Sequence, residues 1–331
     1  MAKMTLTLAC AATDRSRPIL DGRIEVPGCQ IVPLPGEPED IFRRALRDQA
    51  FDISEMSMGN HILATAKGTN RYIGIPVFLS RTFRHSAIYV RTDRGIRAPA
   101  DLKGKRIGLT EFQQTASIWL RGILADEYGL DRRDVAWRTG PLDQPRATPG
   151  SRVDLSVDLD VEPIAAGDSL DSLLAKGELD AVFSTRPPRC FADTSAPVGR
   201  LFPDHRAAEI AYFKATGIFP IMHCLTVRRD VAEAHPWLPL ELFRAFVAAK
   251  ALSLGELKLV NTPRVALPWI ADHLAETVAV LGPNPWPYGL GQNRAVLDAM
   301  IRYARSDGLV SGELAPEQLF HPSTLDAADR G

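Results

Sequence analysis

A chain of 331 residues with 45% apolar and 24% charged residues has the make-up of a soluble globular protein, and enough length for two cores of ordinary domain size. Its formal net charge of -1, carried without any basic block, excludes a nucleic-acid platform, and no apolar run reaches the length that spans a bilayer. Electrostatics must therefore be local to a site.

The first twelve residues, MAKMTLTLACAA, superficially resemble an export signal, but Thr7 interrupts the short apolar core and a single lysine precedes it. The alternation Thr5-Leu6-Thr7-Leu8-Ala9 predicts a first strand instead, and with it a cytoplasmic protein. Pro38 to Asp48 has a proline and acids at its start and Ile41, Phe42, Ala45 and Leu46 at helical spacing. Phe51 to Ser57 reads as a strand that carries Glu55 into a polar loop, and a helix follows through His61 to Ala66.

From Leu79 the chain places Arg81, Arg84 and His85 just ahead of a β-branched and aromatic strand, Ala87 to Val90. Three potential cations entering an apolar strand call for an anion, either surface acids or a bound carboxylate, which the planar guanidinium grips with two hydrogen bonds. Lys105 to Leu109 is the next strand. Thr110 and Gln113 have the spacing of a capping box, and the apolar stripe Ala116, Leu120, Ile123 and Leu124 runs to a glycine stop at Gly129. The Thr/Ser/Gln-rich junction, with Thr115 and Ser117 at the helix start, is either an ordinary cap or an anion site.

Residues 140 to 163 read as a Pro/Asp/Arg-rich surface loop leading to a strand at Val153 to Val157. Leu170 to Lys176 is predicted helical with Gly177 as its stop, followed by a strand at Leu179 to Phe183 and a polar loop from Ser184 through Arg186 to Pro188. Polar residues at the carboxyl ends of strands are where open α/β sheets bind ligands. Gly217 to Val227 is a buried strand carrying His223, which is a hydrogen-bonded core residue or a catalytic one. Helices then span 240–252, 266–281 and 293–306, with a stiff aromatic turn at 282–289 that reads as a clasp.

Two similar α/β halves emerge: lobe one from residues 1–92 and 220–331, lobe two from 93–219, joined by two crossover strands with a cleft between them. Cys10, Cys29, Cys190 and Cys224 form no CxxC pair and are expected to be free thiols of a reducing compartment. The seven histidines show no HxH or HExxH spacing, so no metal site is expected.

At this point the segments FDISEMSMGNHILA (51–64), PVFLSRTFRHSAIYVR (76–91), DLKGKRIGLTEFQQTASIWLRGIL (101–124), LFPDHRAAEIAYFKATGIFPIMH (201–223) and WPYGL (286–290) carry a resemblance. Over about Leu6 to Thr324 the chain resembles the 4,5-dihydroxyphthalate decarboxylase family, enzymes on a type II periplasmic-binding-protein scaffold. The resemblance implies a bilobed α/β fold and a carboxy-lyase that converts 4,5-dihydroxyphthalate, or a close hydroxylated aromatic dicarboxylate, to protocatechuate and CO2. Each carboxylate of that substrate has a hydroxyl para to it. Removing the phenolic proton pushes electrons to the ring carbon bearing the departing group, so no metal, pyridoxal phosphate or flavin is demanded. Arg81, Arg84, Arg186, Thr115, Ser117 and Ser184 are then the expected carboxylate binders. His85 or His223 is the expected base, and Glu55 the acid, provided burial raises its pKa well above the usual value of about 4.3. A solute receptor for aromatic acids, or a lyase acting on another hydroxylated or heterocyclic acid, would use the same groups. The expected partner is the small aromatic diacid alone, with no nucleic acid and no membrane. A homo-oligomer is compatible with the sequence.

Overall fold

The computed structural model describes residues 3–148, 150 and 152–329. In chain order the elements are β1 (Met4–Cys10), α1 (Arg17–Leu20), β2 (Cys29–Pro35), α2 (Pro38–Asp48), β3 (Ile53–Ser57), α3 (Met58–Ala66), β4 (Tyr72–Arg81), β5 (Ile88–Arg91), β6 (Arg106–Leu109) and α4 (Thr115–Tyr128). There follow β7 (Ala136–Thr139), β8 (Val161–Pro163), α5 (Leu170–Lys176), β9 (Ala181–Phe183), α6 (Arg189–Ala192), β10 (Val198–Arg200), α7 (His205–Thr216), β11 (Ile221–Arg228), α8 (Arg229–Ala234), α9 (Leu238–Glu256), α10 (Ile270–Leu281) and α11 (Leu290–Ser306).

The chain divides into two compact units. Unit 1 comprises residues 1–81, 221–298 and 314–331, and unit 2 comprises 82–220 and 299–313. This differs in two places from the division read off the sequence. β5, assigned there to the first lobe, pairs antiparallel with both β9 and β10, so the boundary falls at Arg81/Thr82 and not after residue 92. The end of α11 also belongs to unit 2, where Tyr303 packs edge-on against Trp119 and Asp307 is buried between Arg121 and Arg132.

In unit 1 the strand order is β2-β1-β3-β11-β4, with β1 parallel to β2 and β3, and β11 antiparallel to β3 and β4. β3 and β4 are buried on both faces, as a sheet covered by helices requires, and β4, although last in the strand order, reads as the near-continuous apolar run YIGIPVFLS. In unit 2 the order is β10-β5-β9-β6-β7-β8, with a parallel centre of β9, β6, β7 and β8. Behind it, Leu170, Leu173 and Leu174 of α5 pack with Val182 and Leu179 into a local core.

Several local expectations change in detail. α4 opens at Thr115 with Gln114 as its N-cap residue, so Thr110 is not the cap; its hydroxyl instead donates to Gln114 Oε1 at 2.9 Å. The strand expected at Val153 to Val157 lies later, at β8, where Val161 to Pro163 pair with Trp137 to Thr139. The turn at 282–289 is a clasp on β4, since Trp286 Nε1 donates to Phe78 O at 2.7 Å and Gly289 N to Pro76 O at 2.8 Å. Among the described residues no helix is long and apolar enough to cross a membrane.

Candidate active site

β3 is buried along its whole length, yet it contains a carboxylate: Glu55 is 2% exposed. A charge in such a place must be paired. The pairing register explains how it is. β11 lies beside β3 with His223 opposite Ser57 and Leu225 opposite Glu55, which makes His223 and Glu55 diagonal neighbours on one face. His223 Nδ1 sits 2.6 Å from Glu55 Oε1, and the other carboxylate oxygen accepts the Ala11 backbone N–H at 2.8 Å. Ala11 follows directly on the carboxyl end of β1, so three strand ends meet at this group.

The geometry fixes the imidazole. With the carboxylate accepting at Nδ1, the Nδ1–H tautomer is favoured and Nε2 is left as the atom that exchanges protons. The Phe42 ring of α2 meets the His223 ring edge-on at 4.8 Å, and the side chain remains 20% exposed. Ser57 and Ser80 are the strand partners on either side of His223. Glu55 thus meets the His223 ring with one oxygen and the Ala11 N–H with the other. Cys10 and Cys224 flank Glu55. Burial and the nearby carboxylate push the Cys10 thiol up to about 12 and raise Cys224 as well, which disfavours the thiolate form of both.

Arg81 ends β4 at the same edge. Its guanidinium donates from Nη2 to Pro287 O at 2.8 Å and to Asn293 Oδ1, lies over the Phe78 ring and is 4% exposed. Burial lowers its pKa to about 9. Its visible bonds tie β4 to the 287–293 segment.

The remaining expected residues lie in unit 2. Leu109 of β6 and Phe183 of β9 are register partners, so Thr110 and Ser184 leave adjacent parallel strands side by side. Ser184 is 4% exposed and accepts Arg186 N at 3.2 Å; Thr115 and Ser117, in the first turn of α4, are 4% and 1% exposed. No side chain caps that helix from Gln114, and its positive dipole end meets these hydroxyls. Arg186 is 69% exposed on its side chain, with Asp143 3.3 Å away. Arg84 has its pKa lowered to about 10 by burial, with Glu209 opposing that shift, and the Glu209 carboxylate accepts Ser86 N at 3.3 Å.

His85 also belongs to unit 2. It is 2% exposed and ringed by Tyr128, Phe202 and Tyr212, and neither ring nitrogen has a hydrogen-bond partner. Burial lowers its pKa to about 4, which makes it a weak base. Thus Glu55 and His223 come together, while His85 stands among aromatic rings of unit 2. Sequence reasoning missed Ala11 N–H and the flanking serines, which reach the site through strand pairing, and Phe42, which α2 packs against His223. Among the described residues no three His, Cys, Asp or Glu side chains group as metal ligands.

The two sheet orders define a type II periplasmic-binding-protein-like fold. The periplasmic aliphatic sulphonate binding protein of Escherichia coli superposes with a TM-score of 0.54 at 15% identity, covering 98% of this chain and 99% of that one. A ligand binding component of an ABC-type import system from Staphylococcus aureus gives 0.52 at 11% identity, covering 99% of this chain and 100% of that one. The NMT1/THI5 like family model matches residues 52–154. More specifically, the chain is 40% identical to a 4,5-dihydroxyphthalate decarboxylase of Comamonas testosteroni over 327 residues, 99% of each chain. A second such enzyme, from Pseudomonas putida, is 40% identical over 215 residues, covering 65% of this chain and 83% of that one. The chain belongs to the 4,5-dihydroxyphthalate decarboxylase family.

Proposed function

We propose that this protein is a carboxy-lyase that removes one carboxylate of 4,5-dihydroxyphthalate without oxidation, giving protocatechuate and CO2. Full-length membership of the decarboxylase family carries this reading, and the buried Glu55–His223 pair supplies chemistry suited to it. His223 Nε2 takes the proton of the hydroxyl para to the departing carboxylate, and Glu55 stabilises the imidazolium that forms. The freed electron pair moves through the ring to the carbon bearing the carboxylate, which takes a proton. The bond to CO2 then breaks, its electrons restore aromaticity, and the phenolate regains its proton. One proton is consumed per turnover. Glu55 is an orienting group in this scheme, and His85, a weak base, takes no proton.

In unit 2, Thr115 and Ser117 at the start of α4 and Ser184 just after β9, with Arg84, are proposed as anion-binding groups. Hydroxyls backed by a helix amino terminus suit a carboxylate. Arg186, largely exposed, and Arg81, committed to the 287–293 segment, are assigned supporting roles. The reaction is placed in the cytoplasm. Four buried free thiols support that compartment.

The deciding experiment mixes purified, chelator-treated protein with 4,5-dihydroxyphthalate and follows protocatechuate and CO2. Stoichiometric formation of both is expected, and it disappears in His223→Asn. Tight binding with no product would replace the enzyme by a receptor of the same fold.

A further inference from the structure

We propose that Arg15 is a carboxylate anchor of the unit 1 site, gripping a carboxylate of the substrate beside the Glu55–His223 pair. The inference rests on the decarboxylase reading and adds a residue that no motif singled out.

Arg15 lies on the turn that leaves the carboxyl end of β1. Ser16, fully buried, closes that turn: its hydroxyl donates to Ala11 O at 2.5 Å and accepts Thr13 N at 3.0 Å. The turn therefore carries two functional ends on one stiff piece of backbone. Ala11 N–H holds Glu55, and four residues later Arg15 Nη2 donates to Leu79 O at 3.0 Å. Leu79 is next in β4 to Ser80, the strand partner of His223.

The guanidinium is also prepared for a planar anion. Its Cζ lies over the Trp286 ring, 4.0 Å from the ring centre, and Trp286 is pinned by its own bond to Phe78 O. With Cζ over that ring and Nη2 fixed, Nη1 is taken up by the chain neighbour Asp14, whose Oδ1 is 2.6 Å away. Asp14 is 45% exposed on its side chain and Arg15 is 16% exposed. A half-exposed ion pair between neighbours is a weak competitor. The Asp14 carboxylate thus occupies the place of a substrate carboxylate and yields to a diacid that can form the same bond. Arg81, fully buried and bonded to its own chain, offers no such exchange.

Asp14 and Arg15 variants should move affinity in opposite directions. Calorimetry with phthalate, which lacks the hydroxyls needed for reaction, isolates carboxylate binding from turnover. Arg15→Ala should weaken phthalate binding about tenfold or more and raise KM for 4,5-dihydroxyphthalate by a similar factor, with Arg15→Lys intermediate. Asp14→Asn should tighten phthalate about two- to fivefold. A purely structural Arg15 would not yield tighter binding in Asp14→Asn. Unchanged or weaker binding in that variant overturns the proposal, even if Arg15→Ala fails to fold. Phthalate binding that depends on Arg15 in a wild-type protein without turnover would instead overturn the decarboxylase reading and leave the anchor standing.

Discussion

Replacing Glu55 by Gln removes one charge and almost no volume, so its effect can be worked from the hydrogen bonds alone. The amide oxygen can keep the Ala11 N–H now at 2.8 Å, which turns the amide NH2 toward His223 Nδ1. That nitrogen must then accept, the ring proton moves to Nε2, and the atom assigned to take the phenolic proton is already occupied. Swapping the orienting carboxylate for an amide in a catalytic pair of this kind lowers turnover by about 10²- to 10⁴-fold. This corresponds to a barrier increase of about 2.7–5.5 kcal/mol. Folding should survive: the lost charge-assisted hydrogen bond is worth about 1.5–3 kcal/mol, against a usual total of about 5–15 kcal/mol. The assay follows protocatechuate at saturating substrate, with urea denaturation as the control for folding and ¹⁵N chemical shifts of the His223 ring to report its tautomer. A folded Glu55→Gln protein turning over within about threefold of wild type would refute the orienting role.

Three further outcomes test the framework around the site. His61 and His85 are buried neutral with pKa values lowered to about 4, so on acidification the unfolded chain takes up protons first; stability is greatest above pH 6.5 and falls toward pH 4 by about 1.4 kcal/mol per pH unit for each histidine. Urea midpoints between pH 7.5 and 4.5 check this, and a flat profile contradicts it. Asp307→Asn leaves the fully buried Arg121, and Arg132 beside it, without the carboxylate both now bind; it should cost about 3–5 kcal/mol in urea denaturation, and a loss under about 1 kcal/mol would mean that the pair is dispensable. Gly122→Ala puts a Cβ 2.1 Å from Tyr303 Cδ2 and should destabilise by at least about 1–3 kcal/mol, so an unchanged melting temperature would deny the packing of α4 on Tyr303.

The parts of this fold that were legible in the sequence are those whose signals are local. α2 runs over the expected residues because Pro38 opens it and its apolar spacing fills four positions, and α5 stops at Gly177 because that residue adopts the left-handed conformation an L side chain resists. β2 was missed. Its Pro33 and Pro35 argue against a strand, and they are tolerated because β2 is the edge of its sheet and pairs only with β1. The lobe boundary was misplaced for a related reason. Nothing in Ile88–Arg91 states whether it will pair with β4 behind it or with β9, about ninety residues ahead.

The site had the same character, and family resemblance supplied the reaction without the roles. Glu55 and His223 are 168 residues apart and meet only because β11 inserts between β3 and β4. Yet one deduction was open to the sequence. A carboxylate in a strand flanked by Ile53, Met56 and Met58 has to be buried, and a buried carboxylate has to be paired. Among the strongly apolar segments that could line such a strand, Gly217 to Val227 carries a single basic residue, His223. On its own strand His223 is an isolated core histidine; beside the unpaired charge on β3, the two anomalies resolve each other. Neither could be placed in a folded core without its partner, and Arg15 shows the opposite case: its role depends on a turn and a ring 271 residues away, with no buried charge in the sequence to betray it.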